Sequence, residues 1–418
     1  MRRFSIMGFH VRTSLIIAAA LVYPLPETLQ AEAKEPIRIG VIAEESAIGG
    51  VGIVNGARLA VDAINAAGGV DGRKLEIMQY DDHSSAADAV RAFQRAVSQD
   101  KVVAVIGTYI TEVALALEPW AARTHVPFIT TGASSNEISR HVHEDYDKNK
   151  FTFHEYMTSA IIADSICDSV KDLLQKKYSI RSAVILSEDA AWTTPLDAEY
   201  LLCLPKIGVK VLDHLRFSPD TSDFTPLYNK IEGEKPDVIV TGISHTGVQP
   251  TVQWAQQQVP VPMIGMSSQA TAGTFWKDTN GAAAGIVTFS VAADGANLTP
   301  KMQPFINDYV KRFGEAPNYT AYTTDDAVNI LVLAIKRAAS TDGEKLVAAL
   351  EQTDYVGTIG RVQFYGRDSE FTHAMKYGPE YVTGIMLQWQ DAKQVTMWPK
   401  AAAQAKFSFP AFTQLQKP

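Results

Sequence analysis

Between residues 37 and 82 a strand, a glycine-bearing loop, a helix and a second strand follow one another, IRIGVIAEESAIGGVGIVNGARLAVDAINAAGGVDGRKLEIMQYDD, and this unit constrains the rest of the chain. Ile37, Ile39, Val41 and Ile42 form a nearly continuous apolar run, which suits a strand buried on both faces of a parallel sheet. Residues 44–52 and the glycines Gly49, Gly50, Gly52 and Gly56 read as a loop and its margin. From Asn55, apolar residues recur at Ala57, Leu59, Ala60, Ile64 and Ala67 with helical spacing, until Gly68 and Gly69 stop the helix. Leu75, Ile77 and Met78 begin a second strand that ends at Asp81 and Asp82. In open sheets built from such units, ligands bind beyond the carboxyl ends of the strands.

The alternation continues. Residues 102–106, 127–131 and 151–153 read as strands, 111–123 as a helix, 131–136 as a small polar loop and 141–150 as a charged insert. After Phe153 the pattern starts afresh, with helices at 161–174, 194–204, 224–231 and 248–258 among strands at 182–186, 209–212, 238–241 and 263–265. A short strand at 285–289 precedes helices at 301–313, 324–339 and 345–353, and 381–389 with 394–398 make a closing hairpin. Asp325 and Asp326 read as part of the cap of the 324–339 helix. At 418 residues the chain exceeds one ordinary core. The pattern predicts an α/β protein of two doubly wound, Rossmann-like lobes.

The first residues stand apart. Met1-Arg2-Arg3 is a basic start, residues 15–22 are an apolar run too short to span a bilayer, and Ala31-Glu32-Ala33 has the form of a cleavage site. Residues 1–33 are therefore expected to be a signal peptide, cut near Ala31 or Ala33, which places the mature chain in the periplasm. Cys167 and Cys203 are the two cysteines; an oxidising compartment permits a bridge, and buried free thiols are the alternative. A net charge of −8 with no basic stripe argues against a nucleic-acid partner.

The segments RIGVIA and NGARLAVDAINAAGGVDGRKLE, the closing DD, and the later stretch VGTIGRVQF at 356–364 resemble the periplasmic solute-binding proteins of the branched-chain amino acid ABC transporter type, over about residues 37–399. The resemblance implies a type I periplasmic binding fold with a three-segment hinge crossed near Phe153, Phe289 and Thr372. One lobe would span 36–153 plus 290–371 and the other 154–289 plus 372–400, with a tail at 401–418. It implies a monomer that closes on a small-molecule ligand in the cleft and delivers it to an inner-membrane ABC permease. The alternative is a periplasmic sensor feeding a signalling receptor.

The resemblance also marks site residues. Thr111 falls where the family places a hydroxyl for the ligand carboxylate, and Gly132, Ala133 and Ser134 match its second carboxylate loop. Trp192 stands in place of the usual Tyr, Ser244 and His245 stand where a second aromatic is expected, and Tyr109 lies near a strand end with Phe153 and Tyr156. By residue type alone, Thr111 and Ser134 also suit caps or turns, Trp192 packing on its own lobe, and His245 an exposed rim. Ser267 occupies the place of the acid that pairs a ligand ammonium in the amino acid binders. An unpaired ammonium in a closed cleft is costly, so an amino acid would need Glu44, Glu45 or Asp189 as its partner. A carboxylic acid or amide with an apolar or aromatic body fits as well.

Neither an enzyme nor a cofactor is expected. Gly242-Ile243-Ser244-His245-Thr246 lacks the second glycine of a nucleophile elbow, and Gly50, Gly52 and Gly56 do not keep dinucleotide spacing. His141, His143, Glu144 and Asp145 have metal-ligand chemistry, but a solvated charged insert accounts for them and no metal is expected.

Overall fold

A computed structural model of the protein describes residues 1–5, 7–10 and 34–413. It comprises two units, Met1–Lys34 and Glu35–Pro418. The first has no helix or strand among its described residues, and the apolar run and cleavage motif at 15–22 and 31–33 lie outside the described residues. All that follows concerns the second unit.

Five strands, β1 (Ile37–Ala43), β2 (Leu75–Asp81), β3 (Val105–Gly107), β4 (Phe128–Thr130) and β5 (Thr152–His154), form one parallel sheet in the order β2-β1-β3-β4-β5. A second sheet begins with β6 (Ser182–Glu188), β7 (Lys210–Phe217), β8 (Val238–Ile243), β9 (Met263–Ser267) and β10 (Val287–Ser290). Its parallel part runs β10-β9-β8-β6-β7, so both sheets reverse direction next to their first strand. A small ladder pairs β11 (Tyr355–Val356) with β12 (Arg361–Val362), and the hairpin β13 (Ile385–Gln390) and β14 (Lys393–Trp398) joins β10 antiparallel. The chain thus passes between the sheets after β5, after β10 and before β13.

The glycine-bearing stretch is not a loop. The first helix spans Ile48–Ala66 and carries Gly49, Gly50, Gly52 and Gly56 in its first turns. Glycine weakens a helix interior by about 1 kcal/mol relative to alanine, so a local reading ends the helix there. Packing overrides that preference, because a Cβ on Gly52 would stand 1.9 Å from Asn318 Oδ1 and one on Gly56 would stand 2.4 Å from the carbonyl oxygen of Ala321. Only bare backbone lets this helix lie against the helix Tyr319–Ala338. Gly56→Ala is expected to lose roughly 1–3 kcal/mol in urea unfolding despite its better helix propensity, because the opposing atom is backbone and cannot turn aside.

The helix Tyr319–Ala338 corrects a second expectation. It starts upstream of Thr324, with Asn318 as its cap accepting from the Ala321 amide, so Asp325 and Asp326 lie inside it and cap nothing. Asp326 is fully buried and accepts the amide and hydroxyl of Thr358 at 2.8 and 3.0 Å. Two further differences are local. A helix at Ala86–Ser98, absent from the sequence reading, buries Ala89, Ala92, Phe93 and Ala96, three of which are too small to mark an apolar stripe. The charged insert is mostly the helices Asn136–Glu144 and Tyr146–Asn149. There His141 Nδ1 lies 2.8 Å from Glu118, His143 Nδ1 faces the carbonyl of Arg367 at 3.2 Å, and Glu144 pairs with Arg140.

Cys167 on the helix Ser159–Val170 and Cys203 on the helix Thr193–Lys206 are joined by a disulfide, with Cα atoms 6.1 Å apart. Residues 401–413 lie against the second sheet, where the Ser408 carbonyl accepts from Gln388 at 2.6 Å and Phe412 meets Trp254 at 4.8 Å between ring centroids; 414–418 lie outside the described residues. Among the described residues no helix is long and apolar enough to cross a membrane.

Candidate functional site

Each sheet has a switch point beside its first strand, where neighbouring crossovers go to opposite faces and leave a crevice beyond the strand ends. The loops after β1, β3 and β4 come from one sheet and those after β6, β8 and β9 from the other, and together they enclose two adjoining cavities. The outer cavity, about 180 Å³, is bordered by Glu44, Ile48, Gln269 and Asn318 among others. The inner chamber, about 10 Å³, is bordered by Thr111, Gly132, Ser134, Tyr156, Trp192 and Met266. Tyr109, Ser244, His245, Ser268 and Tyr319 line both, so the two form one cleft.

The inner end is a set of hydroxyls. Thr111 begins the helix Thr111–Thr124 but caps nothing: its Oγ1 is buried and has no hydrogen-bond partner among the described residues. The buried hydroxyl of Tyr156 is likewise unpartnered. Ser134 Oγ lies 3.1 Å from Ser159 Oγ, whose single proton also reaches the Ser134 carbonyl at 2.9 Å. The loop carrying Ser134 is fixed by His154, whose Nε2 lies 2.6 Å from the Ala133 carbonyl. Burial pushes His154 down to about 4, so the ring is neutral and Nε2 donates. Gly132 packs where a Cβ would stand 2.7 Å from Cβ of Tyr109, so a side chain there would push the loop off the cleft wall.

The second sheet's share hangs on one acid. Glu188, the last residue of β6, is fully buried and takes four donors. Trp192 Nε1 and His245 Nδ1 reach Oε1 at 2.8 and 2.7 Å, while the amides of Ser244 and His245 reach Oε2, both at 2.9 Å. Gln269 adds a clamp, donating to the His245 carbonyl at 2.9 Å. Burial opposes a charge on His245, but the bond and charge of Glu188 outweigh it and hold the imidazole above its ordinary value. On the first sheet's side Tyr109 donates to Glu44 at 2.8 Å, and across the cleft the Ala191 amide donates to Glu112 of the opposite sheet's helix at 2.8 Å.

Of the residues singled out from sequence, Tyr109, Thr111, Gly132, Ser134, Trp192, Ser244 and His245 come together around the inner chamber. Ala133 and Ser267 do not line it. Side chains alternate along a strand, so at the end of β9 Met266 and Ser268 face the cleft while the intervening Ser267 turns away. Sequence reasoning missed Glu188, Gln269, Asn318 and Tyr319. Glu188 stood next to Asp189, which was considered, and periodicity alone could not say which of two adjacent acids turns inward. Tyr319 was hidden by the misplaced helix start.

Two switch points facing one another across a lined cleft define a two-lobed solute receptor. The periplasmic binding protein family model matches residues 36–378, and the chain belongs to that family. It is similar to Leu/Ile/Val-binding protein homolog 7 of Brucella suis, 24% identical over 391 residues, covering 89% of this chain and 91% of that protein. Among solved structures it resembles the branched-chain amino acid transporter substrate binding protein of Streptococcus pneumoniae in complex with isoleucine, with a TM-score of 0.74, 22% identity, and coverage of 86% and 97%. It also resembles a solute binding protein of an ABC transporter from R. palustris in complex with benzoate, with a TM-score of 0.75, 18% identity, and coverage of 90% and 99%. The family's proteins are exported solute binders that serve ABC transporters; they are not enzymes.

Proposed function

We propose that the protein is the receptor of an ABC importer for a small solute bearing a carboxylate and an apolar or aromatic body. The observation that carries this reading is the pair of buried, unpartnered hydroxyls of Thr111 and Tyr156 at the inner end of a cleft shared by both sheets. Buried polar groups are ordinarily satisfied, so two unmet hydroxyls beside Ser134 are donors kept for an acceptor that arrives with the ligand. The inner chamber, at about 10 Å³, takes about one water-sized group, so in this reading only the carboxylate end of the ligand reaches into it and the body extends into the outer cavity along Tyr109 and Tyr319. The solutes named for the two structural relatives, isoleucine and benzoate, share this plan of an acid head on a compact apolar body.

In this reading the lobes are residues 36–153 plus 290–371 and 154–289 plus 372–400, and capture is closure about the three crossings. Closure excludes water and strengthens the few polar contacts to the ligand. The partner is an inner-membrane ABC permease, the receptor acts as a monomer in the periplasm, and residues 1–33 are removed on export. A thermal-shift screen against amino acids, aliphatic and aromatic carboxylates and small amides tests the reading, since a ligand of the folded state raises the midpoint with concentration. For a solute found this way, Thr111→Ala is expected to weaken binding by roughly 1–3 kcal/mol in calorimetry, the cost of leaving a buried charged acceptor one bond short. Unchanged affinity would take Thr111 out of the site.

A further inference from the structure

We propose that this cleft selects carboxylates that carry no α-ammonium group, and that His245, held by Glu188, is the cation that recognises them. The inference rests on the receptor reading above and narrows its substrate class.

An α-ammonium stands one carbon away from its carboxylate. With the carboxylate on Thr111, Ser134 and Tyr156 filling the inner chamber, the ammonium would lie at its mouth, among Tyr109, Ser244, His245, Ser268 and Tyr319, which line both cavities and include no acid. Glu188 stands behind Trp192 and His245, outside the lining of either cavity, and its oxygens already take four donors. The end of β9 offers Met266 and Ser268. Glu44 is the one acid that lines either cavity among the described residues; it borders only the outer one and holds the Tyr109 hydroxyl. A desolvated ammonium without a partner costs several kcal/mol, whereas a ligand lacking it loses nothing.

His245 supplies the opposite preference. Glu188 takes Nδ1, which fixes the ring and leaves Nε2 as the nitrogen available to the two cavities that His245 lines. The charged groups that act on the ring are Glu188 from β6, Glu112 from the helix Thr111–Thr124 and Glu44 from the loop after β1. All three are acids, so each favours the imidazolium, and an imidazolium donates a charge-assisted bond to a carboxylate. Affinity for an anion is then full while His245 is protonated and falls as pH rises through its raised pKa.

The test is calorimetry on the purified protein, freed of bound solute, with pairs of equal body: isocaproate against leucine and hydrocinnamate against phenylalanine. The expected result is that the acid without ammonium binds about 100-fold tighter or more in at least one pair. His245→Gln, which keeps a polar side chain but cannot be charged, is expected to weaken that acid about tenfold near pH 6 and to abolish the decline in affinity toward about pH 8.5. A purely structural role for His245 would shift the unliganded thermal midpoint and leave the pH profile intact. Leucine or phenylalanine binding as tightly as its counterpart overturns the inference and leaves the receptor reading standing. Equal binding of the neutral isocaproamide does the same. If none of these compounds, nor benzoate, binds to the folded protein, the reading of a receptor for carboxylates falls and the inference with it.

Discussion

Glu188→Ala is expected to destabilise the protein by roughly 3–5 kcal/mol and to remove measurable solute binding. The carboxylate is fully buried and accepts from the Trp192 indole, the His245 imidazole and the amides of Ser244 and His245. Truncation leaves those donors facing a void, and the two amides cannot move without disturbing β8. Unfolding in urea gives the stability loss, and calorimetry on the folded fraction gives the binding loss. Glu188→Gln separates the two roles. It keeps one acceptor oxygen but sets an NH2 where the carboxylate took donors, so it should fold with a smaller loss and no longer favour a charged His245. A Glu188→Ala protein with native stability would show that the four contacts do not organise this side of the cleft.

Glu155→Gln is expected to stabilise the protein by roughly 1–3 kcal/mol at pH 8 and to be nearly neutral at pH 5. Glu155 follows β5 where the chain first leaves its sheet; it is fully buried, and neither oxygen has a hydrogen-bond partner among the described residues. Burial, then the charges of Asp326 and Asp325, push its carboxyl well above the usual glutamate range. The folded chain therefore keeps a proton there that the unfolded chain releases above its ordinary pKa. Stability from this group is full below the unfolded value and is lost as pH rises through the folded one. Asp326, pushed up to about 7 chiefly by burial, acts in the same direction. The natural chain should show a lower thermal midpoint at pH 8 than at pH 5, and Glu155→Gln should flatten part of that slope. An identical slope in the variant would mean that Glu155 is ionised and paired at neutral pH.

Local chemistry makes much of this protein legible in the sequence itself. Buried parallel strands announce themselves as runs such as Ile37 to Ile42, and Gly68-Gly69 ends its helix for reasons contained in a few residues. Alternating strands and helices, restarting after Phe153, specify two doubly wound sheets. Since such sheets bind ligands beyond their strand ends, the order of elements pointed to the region that holds Tyr109, while Thr111, Ser134, Trp192 and His245 were marked by the family resemblance.

What the sequence could not decide depended on atoms distant along the chain. Whether Gly50 and Gly52 sit in a loop or a helix turns on Glu44, Asn318 and Thr320, which take the space a side chain would need. Whether Cys167 meets Cys203 turns on how two helices cross. Which of Ser267 and Ser268 faces the cleft is a matter of strand parity, and whether Glu188 or Asp189 turns inward depends on where Trp192, Ser244 and His245 bring their donors. Propensity and periodicity are properties of neighbours in sequence and set the elements and their order. Burial, close approach and hydrogen-bond satisfaction are properties of neighbours in space, and only the tertiary structure assigned those.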